Sequence, residues 1–351
     1  MGIDPRFYRR LARLTADEIA GHLQSGVTGD TASVAEQVGP ASEARPGDLV
    51  FVSSPDLPDE LKVRPGVVIG PGPAPALESL AEGVAYIVHR QPRGAFGRVA
   101  RLLFVPLDAL DDLADQPAAV IHPSARIGEG AVISKGAEIA EDVIIGANAV
   151  IGPGVRIGPR SRIGANAVIG FCEMGHDCRI GPGAVIGEEG FGVAPGPGGL
   201  VDLPHFGRVM IGNGVRIGAN CTIDRGMFGD TIVRDRVRLD NLCHIAHNVD
   251  VGEDTLMAAF AGVSGSVKIG RGAQFGGRVG IVDHVTIGEG ARLAANASPA
   301  GDVPPGETWA GQPAQPIRRW LRELAVLKKL AAPRGARVDG QGAAGQDRKS
   351  D

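Results

Sequence analysis

A branched or bulky apolar residue returns at every sixth position through most of the chain beyond residue 120. Val233, Leu239, Ile245, Val251, Met257, Val263, Ile269, Phe275, Ile281, Ile287 and Leu293 hold this register without a break. Ile121 to Ile169 keep it earlier, and Ile180–Ile186 and Ile211–Ile223 are shorter runs. A period of six fits neither the three-and-four returns of a helix nor the alternation of an ordinary strand. Six residues make one short strand and its corner, so three hexads close a triangular coil of about eighteen residues. The hexad head points inward and the small fifth position marks a second inward site near the corner. Gly, Asn and Asp at the second and fourth positions suit corners that need positive φ. Successive coils pair in parallel about 4.8 Å apart. The pattern predicts a hexapeptide-repeat parallel β-helix over 116–311. Its breaks, at 170–179, at 188–208 and around 226–231, predict loops thrown out from corners, where functional loops collect.

Residues 1–115 lack the hexad and read as a separate α/β domain. Thr15-Ala-Asp-Glu18 is a capping box opening a short helix. Asp48–Ser53, Gly66–Gly70 and Val84–His89 read as strands, and Arg93–Phe104 reads as a second helix with Phe96, Val99 and Leu103 on one face. Beyond Gly311 the register ends. Pro316–Leu330 reads as a helix carrying Arg318, Arg319, Arg322, Lys328 and Lys329 against one acid, Glu323. The predicted division is therefore 1–115, 116–311, a helical 312–331 and a Gly-, Ala- and charge-rich tail, 332–351, expected to be disordered.

Gly at 53 and Pro at 25 of 351 residues would suggest low complexity, but the glycines fall at fixed corner positions. Aromatics at 4 % suit a narrow prism filled by Ile, Val and Leu. A formal charge of −4 gives no global field for nucleic acid, so an acidic partner must meet a local patch. No run has signal-peptide character or about twenty uninterrupted apolar residues, which points to a soluble cytoplasmic protein. Of the four cysteines, Cys172, Cys178, Cys221 and Cys243, none forms a CxxC pair, and the last two take the small fifth position of the wall.

The candidate chemistry centres on His247, in Ile-Ala-His-Asn-Val-Asp, beside Asn248, near His244 and one hexad after Asp240-Asn241. A rigid wall suits a base that must be held in place. From spacing alone a catalytic base and a surface histidine both stay open. His284 follows 37 residues later, two coils plus one, which puts it on the same side about 10 Å along the axis, within reach of a substrate or carrier arm and out of reach for proton transfer.

Gly187-Glu-Glu-Gly-Phe-Gly192, Gly207-Arg-Val-Met-Ile-Gly212, Thr222-Ile-Asp-Arg-Gly226 and Leu239-Asp-Asn-Leu-Cys-His-Ile-Ala-His-Asn-Val249 together resemble the UDP-3-O-(3-hydroxyacyl)glucosamine N-acyltransferases, the LpxD family of lipid A biosynthesis, across nearly the whole chain. The resemblance implies a left-handed parallel β-helix with an N-terminal α/β domain and a C-terminal α-helix, and a cytoplasmic homotrimer with sites in the clefts between chains. It implies transfer of a 3-hydroxyacyl chain from acyl carrier protein to the 2-amino group of a UDP-linked acylglucosamine, with no metal and no cofactor beyond the acyl-carrier co-substrate. His247 would be the base, Asp240 its orienting carboxylate and the Gly265 N–H the oxyanion donor. His284, Asn241 and Asn248 would contact substrate, and Arg318, Arg319 and Arg322 the acidic carrier protein. The family's uracil sandwich, Phe-x-x-Asn-Pro-x-Tyr, is here Phe51-Val-Ser-Ser-Pro-Asp-Leu57, keeping Phe51 and carrying Ser54 and Leu57. Competing readings are a CoA-dependent acetyltransferase acting on a nucleotide sugar, a zinc hydratase of carbonic anhydrase type using His244, His247 and His284, and a scaffold that binds without turnover.

Overall fold

Inward-facing hexad heads can be buried only if coils stack, and the chain does this along one axis. In the computed structural model, which describes residues 2–54, 66–73, 83–108, 115–196, 198–311 and 317–331, strands of two to four residues form three flat walls. A nine-strand wall runs from Val120–Ile121 to Thr286–Ile287, a ten-strand wall from Arg126–Ile127 to Thr308–Trp309, and an eight-strand wall from Val132–Ile133 to Gly280–Ile281. Every strand pairs in parallel with the one a coil further on, as in Ile145↔Ile163 and Ile245↔Val263. From Ile139 on, the heads and the small residues at the fifth position, Cys221 and Cys243 included, are buried in one continuous core, while Ile121 and Ile127 in the first coil are exposed. Many corners turn through the left-handed region at Asn, as at Asn148 (φ 56°) and Asn248 (φ 60°), because Asn tolerates it with little strain.

The three breaks fall on one edge of the prism, where the chain passes from the eight-strand to the nine-strand wall. The first is not the loop expected from the sequence. Its corner, at Gly170–Phe171, is one residue short, and Met174 takes the inward place between Ile157 and Ile211. A flexible thioether fills that place where the register slips. The second break contains a hairpin, Val193–Gly196 against Gly199–Asp202, and the third is the loop between Asp224 and Thr231.

In the first part of the chain, helix α1 (Ala16–Leu23) carries the full capping box of Thr15 and Glu18. Strands Asp48–Phe51, Val67–Gly70 and Ala85–Val88 are neighbours in a five-strand sheet, edged by Val27–Gly29 and Gln37–Val38. Helix α2 (Pro92–Leu103) lies on this sheet and on the 193–202 hairpin. Arg208 joins Asp4 (3.0 Å), Glu173 (3.0 Å) and Asp230 (3.0 Å), tying the first residues to the prism. Residues 1–311 form one compact unit and 312–351 a second. Within the second, α3 (Ile317–Ala331) is described; the tail at 332–351 and the side chain of Trp320 lie outside the described residues. Among the described residues no helix is long and apolar enough to cross a membrane.

Candidate active site

His247 stands on the irregular edge, two residues past strand His244–Ile245 and one coil beyond the 225–230 loop. Its Nδ1 lies 3.2 Å from Asn248 Oδ1. That oxygen also accepts from the Met227 N–H at 2.9 Å, so it is an acceptor and Nδ1 must carry the proton. The lone pair of the ring is therefore on Nε2. One coil further along the same edge is Gly265, where an added Cβ would lie 2.6 Å from His247 Cε1 and 2.7 Å from Nε2. The ring edge thus faces the Gly265 backbone, whose N–H has no acceptor among the described residues.

Within one chain the group beside Nδ1 is Asn248. Asp240 turns at a different edge, between the ten- and eight-strand walls, and its Oδ1 accepts from Asn241 N (2.8 Å) and Nδ2 (3.0 Å). Within the chain no hydrogen bond joins it to His247, because seven residues along a coil carry the backbone around a corner. Asn248 holds the ring instead. Its side chain, expected to contact substrate, is committed to Met227 and His247, and its N–H to Thr231 Oγ1 at 2.8 Å. Asn241 accepts from Ala219 N in the preceding coil at 2.7 Å. His284 is exposed at the same edge two coils on, with its N–H on Gly265 O at 3.1 Å. Phe51 is half-buried with its ring 5.1 Å from Phe96, which in turn meets Phe228, so it serves the core on one side; Ser54 is exposed and Leu57 lies outside the described residues. Arg318, Arg319 and Arg322 are exposed on α3, with Arg319 paired to Glu323 at 3.0 Å. His244, His247 and His284 do not converge, and among the described residues no group of three His, Cys, Asp or Glu could hold a metal ion.

Two groups at the site were not singled out from the sequence. His205, 1 % exposed, lies with its ring 5.1 Å from that of His247, edge to face at 63°. Its Nδ1 is 3.0 Å from Leu203 O and its Nε2 has no partner among the described residues. Burial, with His247 and Arg225 nearby, pushes its pKa from 6.5 down to about 3. The Arg225 Nε (3.0 Å) and Tyr8 hydroxyl (3.0 Å) both meet His205 O, and Arg225 Nη1 reaches Gly187 O (2.9 Å). The second group is Asp224, pushed up to about 7 by burial and by Glu188, against the opposing pull of Arg225. Its Oδ2 lies 3.8 Å from His244 Nε2, while Thr222 Oγ1 is 2.7 Å from His244 Nδ1.

On a hexapeptide prism the Nε2 edge of His247 thus stands beside the backbone of Gly265. Residues 136–171 and 154–188 match the family described as bacterial transferase hexapeptide (six repeats), and 208–241 and 266–298 match the hexapeptide repeat of succinyl-transferase. A UDP-3-O-acylglucosamine N-acyltransferase from Maricaulis maris is 46 % identical over 94 % of this chain and 97 % of its own length. One from Caulobacter sp. (strain K31) is 44 % identical over 95 % and 98 %. The chain belongs to the UDP-3-O-acylglucosamine N-acyltransferase family. Membership makes it an acyltransferase. Among solved structures, LpxA from Acinetobacter baumannii is 27 % identical, covering 62 % of this chain and 77 % of that one at a TM-score of 0.45.

Proposed function

We propose that the chain transfers a 3-hydroxyacyl group from the thioester of acyl carrier protein to the 2-amino group of UDP-3-O-acylglucosamine, with His247 as general base. The observation that carries this is the pairing of the His247 Nε2 edge with the Gly265 backbone on one edge of the prism. The amine nitrogen attacks the thioester carbon while Nε2 takes its proton; the C–S bond then breaks and the imidazolium returns the proton to the departing thiolate. The Gly265 N–H is the donor for the oxygen that becomes negative in between. Asn248, through Oδ1, keeps Nδ1 protonated and Nε2 basic.

Next to this edge the outward positions above His244 are Gly262 and Gly280. Nothing lies within 4 Å of a Cβ built on Gly262, which leaves a flat strip where an acyl chain can lie. In the proposed division of labour, 1–115 holds the uridine end through Phe51, and His284 and Asn241 meet substrate. Asp240 meets the site of a neighbouring chain in a cytoplasmic homotrimer, which accounts for its distance from His247 within one chain. Arg318, Arg319 and Arg322 receive the acidic carrier. Full-length relatives named for N-acyl transfer favour this over a CoA-dependent acetyltransferase.

A mass-spectrometric assay of the acylated product tests the proposal. His247→Ala is expected to lose at least about a hundredfold in kcat, and Gly265→Ala a comparable factor, because its methyl group would occupy the space of the imidazole edge. Wild-type turnover by His247→Ala would end the assignment of the base.

A further inference from the structure

Among the described residues no carboxylate is hydrogen-bonded to the His247 ring, yet a buried polar group is set against it. We propose that His205 is a positioning residue for the base: a buried imidazole packed edge to face against His247, whose unpaired Nε2 stabilises that ring once it is protonated. This rests on the reading of His247 as the base.

The orientation of His205 is determined on three sides. Its Nδ1–H donates to Leu203 O at 3.0 Å, which leaves Nε2 unprotonated. Its backbone N–H donates to Glu189 Oε1 at 3.1 Å, while its carbonyl accepts from Arg225 and lies 3.0 Å from the Tyr8 hydroxyl. The point where a Cβ on Gly190 would stand is 2.7 Å from His205 Nε2 and 2.9 Å from His247 Cβ. His205 Nε2 therefore lies towards the His247 side chain at its Cβ, and only a glycine fits between that Cβ and Nε2. An acceptor with no partner in a buried position opposes folding, and groups left so in native proteins need an explanation such as a role in catalysis. In a region of low dielectric a fixed dipole beside a developing cation acts more strongly than in water.

His244 also interacts with His247, and its Nε2 stands 3.8 Å from Asp224, which Glu188 faces in turn. Arg225 and Arg101 flank His205, and each lies 3.7 Å from the Glu189 carboxylate. Burial and these cations keep His205 itself uncharged, so it receives no proton during turnover. The unpaired Nε2 stays beside His247 throughout the cycle and has most effect when His247 is cationic.

The test uses full-length His205→Leu, His205→Met and His205→Gln, with histidine ring NMR titrations and pH profiles of kcat and kcat/KM. Gln keeps an acceptor at similar reach; Leu and Met do not. In the apolar variants the His247 midpoint and the acid limb of kcat/KM are expected about one pH unit below wild type, with kcat down about tenfold and KM unchanged. Gln should recover most of the loss. An unchanged His247 midpoint in a folded apolar variant, or a Gln variant as impaired as Leu, would overturn the proposal, since either leaves His205 a packing residue. His247→Ala assayed alongside separates the two ideas: full activity there sinks the assignment of the base, whereas the NMR midpoints still report on the ring pair.

Discussion

At the scale of single residues, the buried histidine has a consequence for stability as well as for chemistry. His205 has its pKa depressed from 6.5 to about 3 in the folded chain. The unfolded chain therefore binds a proton first as pH falls. The stabilising contribution is complete above about pH 6.5 and is lost progressively between there and about pH 3. His205→Gln removes that proton uptake, so its thermal midpoint should fall less steeply than wild type across this window. Parallel melting curves for the two proteins would contradict the assignment. His247 was legible in the sequence because it sits in the longest regular register, between residues of recognisable spacing. His205 was not, because Leu203-Pro-His-Phe-Gly207 lies in a break and has no period to place it. The place of Asn248 beside Nδ1 was not legible for a related reason. Which of two near neighbours reaches a ring depends on the φ of 60° at Asn248 and on the Met227 N–H that fixes its amide.

Among the elements, the edge between the eight- and nine-strand walls collects the irregularities: the shortened corner at Phe171, the 193–202 hairpin, the 225–230 loop and then His247. A regular corner presents backbone and small side chains. Insertions below it supply the buried histidine and the arginine near His247. The hairpin is held from outside by α2, and at the start of the chain the Arg208 cluster fastens the same edge to Asp4. Arg208→Leu would leave Asp4 and Glu173 with Arg6 and would take from Asp230 its ion pair with Arg208. Its side chain is 14 % exposed, and removing one member of such a buried set costs about 3 kcal/mol. Denaturant unfolding should show a loss near that size, and no measurable loss would mean the cluster is solvated in solution. The hexad made the walls predictable, and the breaks marked where it failed. That all three share one edge depended on counting corners through Met174, a residue that a search for Ile or Val passes over.

For the whole molecule, the proposed homotrimer and carrier docking belong together. Sedimentation equilibrium should give three copies, and a monomer would leave Asp240 with no route to a histidine. With acyl carrier protein as donor, kcat/KM should fall as salt rises, because docking of an acidic partner on Arg318, Arg319 and Arg322 is screened. A salt-independent rate would remove those arginines from the encounter.

By itself, the sequence determined the prism, its parallel coils, the flanking elements of the first part and the place of His247. Each follows from local periodicity, capping or turn chemistry, which neighbouring residues settle among themselves. Only the tertiary structure decided which side chains surround His247. Asn248 was brought to the Nδ1 side, Gly265 to the Nε2 side and His205 beneath the ring by the stacking of successive coils on one edge. Contacts made between coils depend on the exact number of residues in each corner, and a shift of one residue there moves a side chain to another face.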